Sequence, residues 1–362
     1  AVDSVTKHGS TILHAAVYGG KIDVVRFCLD AGCKVNAVDD EGRHALMAAV
    51  SCRCDIKIIE ILLDAGSNLS VTHKLTKRTA LHEAICQHYV LATHLLIDRG
   101  GSLTAIDHEK KSPLFLACQR GLCETVAYML SKGNCPTSSP FASALPIHAA
   151  ASQGRASTIE LLSDHGCDLN QTNEKGETPI MTALAEDCFS SVRALLQCGC
   201  DLEAQNKVTS LQICCILHED PHPHLGLEPL FLALTHKNVP MMKMLLQCYC
   251  HIPSRTIRVL TKLLKQTQGL NSHYTPQQKE EIFSLFTQHL ITPFTLADAC
   301  RRRIRACLGC PIQVKVKHLP VADKVQNYIL MESEFEAWHE IEQDMPGGSS
   351  GFSDIFVRRE SY

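Results

Sequence analysis

The sequence carries little excess of either charge. Over 362 residues the formal net charge is −3 and the pI is near 6.7, which argues against a nucleic-acid-binding protein driven by bulk charge. No apolar run approaches the ~18 residues of a membrane span, and no secretory leader is visible. There is no glycine-rich phosphate loop, no nucleophile paired with a base, and no ligand set surviving at zinc spacing. An enzyme with its own catalytic site is therefore not expected, nor a cofactor or a bound metal.

What is present is repetition. Thr11-Ile12-Leu13-His14-Ala15-Ala16 recurs 33 residues on as His44-Ala45-Leu46-Met47-Ala48-Ala49. Thr79-Ala80-Leu81-His82-Glu83-Ala84 follows after 35, with two extra residues around Cys52 to Cys54. Steps of 33 then lead to Ser112-Pro113-Leu114-Phe115, Leu145-Pro146-Ile147-His148 and Thr178-Pro179-Ile180-Met181. Glu228-Pro229-Leu230-Phe231 comes after 50, so about 17 residues are inserted before it. Seven units in one register with a Thr-Pro-Leu-His-x-Ala core are the ankyrin signature. Val24 to Leu29 reads as a second helix, and Ala31-Gly32-Cys33-Lys34-Val35-Asn36 as the turn and finger that follow it. Each unit buries its apolar faces only against its neighbours. The start at Ala1 rather than Met carries the expectation that a leader or further repeats have been removed.

Register assigns roles to residues that in isolation suggest chemistry. Thr starts the first helix as a cap and Pro suits its first turn. His14, His82 and His148 share one slot, where a hydrogen bond within or between repeats accounts for them better than metal or acid–base work. Nineteen cysteines spread over a long chain fit a reducing compartment better than a disulfide framework. Cys33, Cys167, Cys200 and Cys250 all follow the turn glycine or its replacement, a slot that takes a small buried side chain. The insertion, about residues 205–227, holds His218, His222 and His224 among prolines and reads as a solvated loop.

The finger tips change sign along the array. Asp39, Asp40 and Glu41 make one acidic tip, while His73, Lys74, Lys77 and Arg78 make the next one basic, continued by His108, Lys110 and Lys111. An acidic or phosphorylated segment would suit Lys74, Lys77, Arg78 and Lys111, with arginine giving forked hydrogen bonds. An ordinary solvated surface is the competing reading. Asn170, in Leu162-x5-Asp168-Leu169-Asn170, resembles the site at which ankyrin proteins are hydroxylated on asparagine; it would serve equally as a finger-turn residue.

Beyond the repeats, Ile257 to Leu264 and Pro276 to Ile291 have helical patterns without the repeat motif. They read as a degenerate last unit capping the array. Leu296, Cys300, Ile304 and Leu308 then fall every fourth residue and give one apolar stripe on a helix. After a loop comes Leu319-Pro320-Val321-Ala322-Asp323-Lys324-Val325-Gln326-Asn327-Tyr328-Ile329. Together these segments resemble a SOCS box.

The resemblance implies that Leu296, Cys300, Ile304 and Leu308 face elongin C. It likewise implies that Leu319, Pro320, Val325, Tyr328 and Ile329 face cullin-5. The second proline usual in the latter segment is Ala322 here, which leaves the choice of cullin open. The ankyrin array and the box together identify the chain as a member of the ankyrin-repeat and SOCS-box family. That implies an all-α solenoid of about seven repeats plus a capping unit, then a small three-helix box. It also implies a substrate receptor that joins elongin B, elongin C and cullin-5 with a RING-box protein to an unidentified protein substrate, in the cytoplasm or the nucleus. The expected layout is repeats over 1–250, a cap over 251–292, the box over 293–330, and a short helix with a disordered tail over 331–362. The alternative is a plain ankyrin scaffold or inhibitor whose C-terminal helices only cap the solenoid.

Overall fold

Each repeated hexapeptide opens a short helix, and a second helix follows antiparallel to it. The computed structural model describes residues 6, 8–133, 137, 141, 143–202, 228–235, 238–248, 275–291, 304, 316–321 and 325–326. The pairs are α1 (Ile12–Tyr18) with α2 (Ile22–Asp30), α3 (Ala45–Ser51) with α4 (Ile56–Asp64), and α5 (Ala80–Cys86) with α6 (Val90–Asp98). They continue as α7 (Pro113–Arg120) with α8 (Cys123–Ser131), α9 (Pro146–Ser152) with α10 (Ala156–Asp164), and α11 (Pro179–Ala185) with α12 (Phe189–Cys198). A seventh pair is α13 (Glu228–Thr235) and α14 (Val239–Cys248), and α15 (Pro276–Ile291) follows. The fold is all-α: a single β-bridge, Val38 to His44, is the extended pairing found among the described residues.

The chain divides into two compact units, Ala1–Leu195 and Leu196–Tyr362. In the first, successive first helices pack on one another, and so do successive second helices. Helices of seven to ten residues are too short to persist alone in water, so the stacking holds them. Leu13, Leu46, Leu81, Leu114, Ile147 and Ile180 fill one column, each at most 2% exposed. Ala16, Ala49, Ala84, Ala117, Ala150 and Ala183 fill the next and let neighbouring helices come close. In the second unit, Met241, Met242, Leu245 and Leu246 of α14 are fully buried, α15 packs on that helix, and Ile282 and Phe286 of α15 are buried. A Lys243–Glu281 ion pair joins the two helices. The insertion, Cys250, the Ile257–Leu264 pattern, Leu296, Cys300, Leu308, Ala322, Tyr328, Ile329 and the tail lie outside the described residues.

The sequence motif translates into hydrogen bonds. Thr11, Thr79 and Ser112 accept from the amide three residues on, capping α1, α5 and α7. The slot histidines bridge repeats. His14 Nδ1 accepts from the Thr11 amide at 3.2 Å, so its Nε2–H donates to the Arg43 carbonyl at 3.0 Å. His82 repeats this with Thr79 and with the Lys111 carbonyl at 3.3 Å. At the fifth repeat Leu145 replaces the threonine, and His148 Nδ1 turns to the Thr182 hydroxyl at 2.8 Å while Nε2 reaches the Gln171 carbonyl at 2.7 Å. Besides Leu145, two starts depart from the expected cap. The Thr178 hydroxyl is buried without a partner, and His44, standing where four other repeats have Thr or Ser, makes no cap bond and is fully buried with the Asn68 backbone beside its ring.

The outer face of the first pair is partly exposed among the described residues. Val24 is 42% and Phe27 71% exposed, whereas Ile58, Ala92, Thr125, Thr158 and Ser191, in the register of Val24, are buried by the preceding pair. Ile12 is 44% exposed where Ala45 and Ala80 are 1%. Burial should therefore set the cost of truncation. Ile58→Ala is expected to cost about 3 kcal/mol and Val24→Ala under about 0.5 kcal/mol. Urea titrations of both variants check this, and equal costs would contradict the assignment.

A second expectation concerns pH. Burial, helped by the nearby His14 ring, pushes the His44 imidazole down to about 4, and burial lowers His82 and His148 as well. An unfolded histidine titrates near 6.5. Between those values the unfolded chain holds the proton and the folded chain does not. The stability is therefore complete above about 6.5 and lost as pH falls toward 4. His44→Thr restores the cap and removes one such group. It should stabilise the array by about 1 kcal/mol at pH 7 and flatten the fall in Tm between pH 7 and 5. An unchanged slope would remove His44 from the acid response.

Candidate functional site

The surface with unassigned polar chemistry lies in the fingers between one repeat and the next. Each tip is tied by one side chain accepting two backbone amides. Asp39 Oδ1 accepts from Glu41 and Arg43 at 3.0 and 2.8 Å. Asp107 Oδ1 accepts from Glu109 and Lys111 at 2.9 and 3.0 Å, and Asn173 Oδ1 from Lys175 and Glu177 at 2.9 and 3.0 Å. His73 does the same through Nδ1 for Leu75 and Thr76 at 3.2 and 3.3 Å. Successive tips are also joined through the backbone: Lys74 N donates to Glu41 O at 2.7 Å and His108 N to Thr76 O at 2.9 Å. The tips at 39–43, 73–78 and 106–111 thus form a connected edge.

This wiring sorts the charged residues. Asp39 is 6% exposed, so it belongs to the turn and not to an acidic tip. Burial raises its pKa, but hydrogen bonds from the Arg43 amide and guanidinium outweigh that and hold it below the usual carboxylate range. Arg78 Nε lies 3.5 Å from the buried Asp107 Oδ2, and Lys111 pairs with Glu109. Two of the four expected cations are therefore already engaged by acids of their own array. Lys74 and Lys77 are exposed and have no acid within ion-pair distance among the described residues. Lys110 is also exposed, with its Nζ 4.9 Å from the Phe141 ring centre.

Two of these cations occupy unusual backbone. Lys77 and Lys110 have φ of 55° and 64°, while Gly9, Gly42 and Gly176, at the same place in their fingers, have 69°, 79° and 74°. A side chain other than glycine in this left-handed region costs about 1 kcal/mol. Sequence reasoning missed Leu75, which is 75% exposed at the second tip. The available signal was an aliphatic residue between Lys74 and Thr76 in a turn of otherwise polar side chains.

The cysteines form no reactive centre among the described residues. Cys167 is 2% exposed, and Cys33 and Cys200 are half-buried in the same slot. Burial pushes the Cys54, Cys86 and Cys188 thiols up, away from the thiolate a nucleophile needs. No group of three or more metal-ligating side chains occurs among the described residues. None of their helices is long and apolar enough to cross a membrane. Asn170 is half-buried in its finger, its amide donating to Asp168 Oδ1 at 2.9 Å, beside the buried Leu169.

Of the box, Ile304 is helical and half-buried. Gln326 Nε2 donates to the Leu319 and Val321 carbonyls, both at 3.2 Å, closing a turn over Val316, which is fully buried. The turn leaves Pro320, Val321 and Val325 exposed and Leu319 half-buried.

Comparison with known proteins finds two family matches within the chain. A family model described as Ankyrin repeats (3 copies) matches residues 1–73, 55–140 and 142–206, together more than half of the chain. A SOCS box model matches residues 292–330. A stretch of 134 residues is 29% identical to the transient receptor potential cation channel subfamily A member 1 of Drosophila melanogaster. That match takes in 35% of this chain and 11% of the channel, so the chain spans about a tenth of that relative's length. Among solved structures, the human ASB11 ankyrin repeat domain is 26% identical, over 54% of this chain and 86% of that one, with a TM-score of 0.47. A chain of the Bd0816 predatory endopeptidase from Bdellovibrio bacteriovorus in complex with immunity protein Bd3460 is 23% identical. That match covers 53% and 98% of the two chains, again with a TM-score of 0.47. With an ankyrin array and a SOCS box in one polypeptide, the chain belongs to the ankyrin-repeat and SOCS-box protein family.

Proposed function

We propose that the chain is the substrate-recognition subunit of a cullin-RING ubiquitin ligase. The observation that carries this reading is the pairing of a recognition array, over residues 1–206, with a SOCS box at 292–330. In this reading the chain performs no bond-making of its own. It holds a protein substrate near a charged conjugating enzyme and raises its effective concentration there. Elongin C takes Leu296, Cys300, Ile304 and Leu308, with elongin B beside it. Cullin-5, carrying its RING-box protein, takes Leu319, Pro320, Val325, Tyr328 and Ile329. Exposure of Pro320 and Val325 on the turn held by Gln326 supports the second assignment, since uncovered apolar side chains grouped together commonly await a partner. The working layout keeps repeats over 1–250, a cap over 251–292 and the box over 293–330. The substrate sits on the finger edge, and the complex works where elongins reside, in cytoplasm or nucleus.

Co-purification with elongin B and elongin C tests this. The wild-type chain should form a stable ternary complex, and Leu296→Pro and Cys300→Phe should each abolish it while the repeats keep their melting transition. Loss of the anchors is expected to remove about 3 kcal/mol or more, over a hundredfold in affinity. A folded wild-type chain that captures no elongin would leave the C-terminal helices as a structural cap and replace this reading with that of a scaffold.

A further inference from the structure

The second and third finger tips stand apart from their neighbours in charge, exposure and backbone. Residues 73–78 and 106–111 carry five Lys or Arg against two carboxylates. The preceding tip, residues 39–43, differs in sign, with three carboxylates against one arginine, although Asp39 is buried in its turn. Within the basic pair of tips, the local acids are spent. Asp107 faces Arg78 and ties its own turn, and Glu109 pairs with Lys111 and lies 3.8 Å from His108. Lys74 and Lys77 are exposed with no acid within ion-pair distance among the described residues, and the exposed Lys110 has its Nζ 4.9 Å from the Phe141 ring centre.

Repeat packing does not ask for lysine at 77 and 110. The left-handed turn there is met by glycine at 9, 42 and 176, and an added Cβ at Gly42 would come within 3.0 Å of the Lys74 amide. The second and third fingers instead carry a strained cation at the same point, on successive tips joined by the His108–Thr76 hydrogen bond. Between the cations stands Leu75, 75% exposed, and Ile106 is 41% exposed on the next finger. Local strain kept in place of an unstrained residue is characteristic of surfaces that bind.

We propose that these two tips seat an extended, carboxylate-rich segment of a partner protein, held by Lys74, Lys77 and Lys110 and anchored by an aliphatic side chain against Leu75. The occupant follows from complementarity. Two lysines without an acidic partner among the described residues, and a third beside the Phe141 ring, surround exposed aliphatic carbon and match a chain in which acidic and aliphatic residues alternate. This deepens the receptor reading by giving its substrate edge a chemical class, and it rests on that reading for its biological meaning.

The test uses the full chain and a fluorescein-labelled decapeptide of alternating Glu and Leu, read by anisotropy. A Lys–Leu decapeptide serves as control. The wild-type chain should bind the Glu–Leu peptide, weakening as salt rises, and should not bind the Lys–Leu peptide. Lys77→Gly with Lys110→Gly relieves the left-handed strain, so Tm should equal or exceed that of the wild type while affinity falls at least tenfold. Leu75→Ser should give a similar loss. No binding by the wild type, undiminished binding by the glycine variant, or equal binding of both peptides would each overturn the proposal. The assay contains no elongin, so loss of the docking surface with an intact elongin complex counts against this inference alone. Loss of the elongin complex with intact peptide binding counts against the ligase reading alone.

Discussion

Everything in this molecule depends on one constraint: a helix pair this short cannot bury its own apolar side chains and must borrow a wall from its neighbour. The column Ala16, Ala49, Ala84, Ala117, Ala150 and Ala183 sets how near that wall can come, and the Leu or Ile column beside it fills the space gained. Stability of such an array is a sum of unit and interface terms. A defect at one start, such as the uncapped helix at His44, is therefore felt locally and can persist.

The same constraint explains how polar groups are used. A buried histidine is tolerable when both ring nitrogens are satisfied, and the slot histidines achieve this by spanning two repeats, from the N-terminal threonine to a carbonyl of the next finger. His148 keeps the principle with other atoms, using Thr182 because Leu145 offers no hydroxyl. These bridges fix the base of each finger. The turn residues Asp39, His73, Asp107 and Asn173 then fix its tip. What neither task consumes, among the described residues, includes the exposed Lys74, Leu75 and Lys77 and, in the box, the exposed Pro320, Val321 and Val325.

Much of this was legible before any coordinates. The register from Thr11 to Glu228 marks where every first helix begins, because each start needs the same capping and packing residues. The span from Pro276 to Ile291 shows as an apolar face and is one helix. Charge on the fingers was harder to read. Arg78 and Lys111 look as available as Lys74 and Lys77, since pairing depends on how the carboxylates turn: Asp107 of the next finger toward Arg78, and Glu109 of the same finger toward Lys111. Asp39 looks like a surface acid and is a turn tie, because the amides it accepts lie two and four residues ahead in a loop whose shape is not written in residue types.

The sequence by itself determined the family, the number and order of repeats, and the roles of the capping threonines and the shared histidine slot. All of these follow from local periodicity and from side-chain chemistry acting within one or two adjacent units. Tertiary structure alone decided which cations stay unpaired, which lysines sit in left-handed backbone, and which faces of equivalent helices are covered. Those properties arise in part from contacts some thirty residues apart in the chain, such as Arg78 with Asp107, where packing of one finger on the next chooses among partners that the sequence leaves equal.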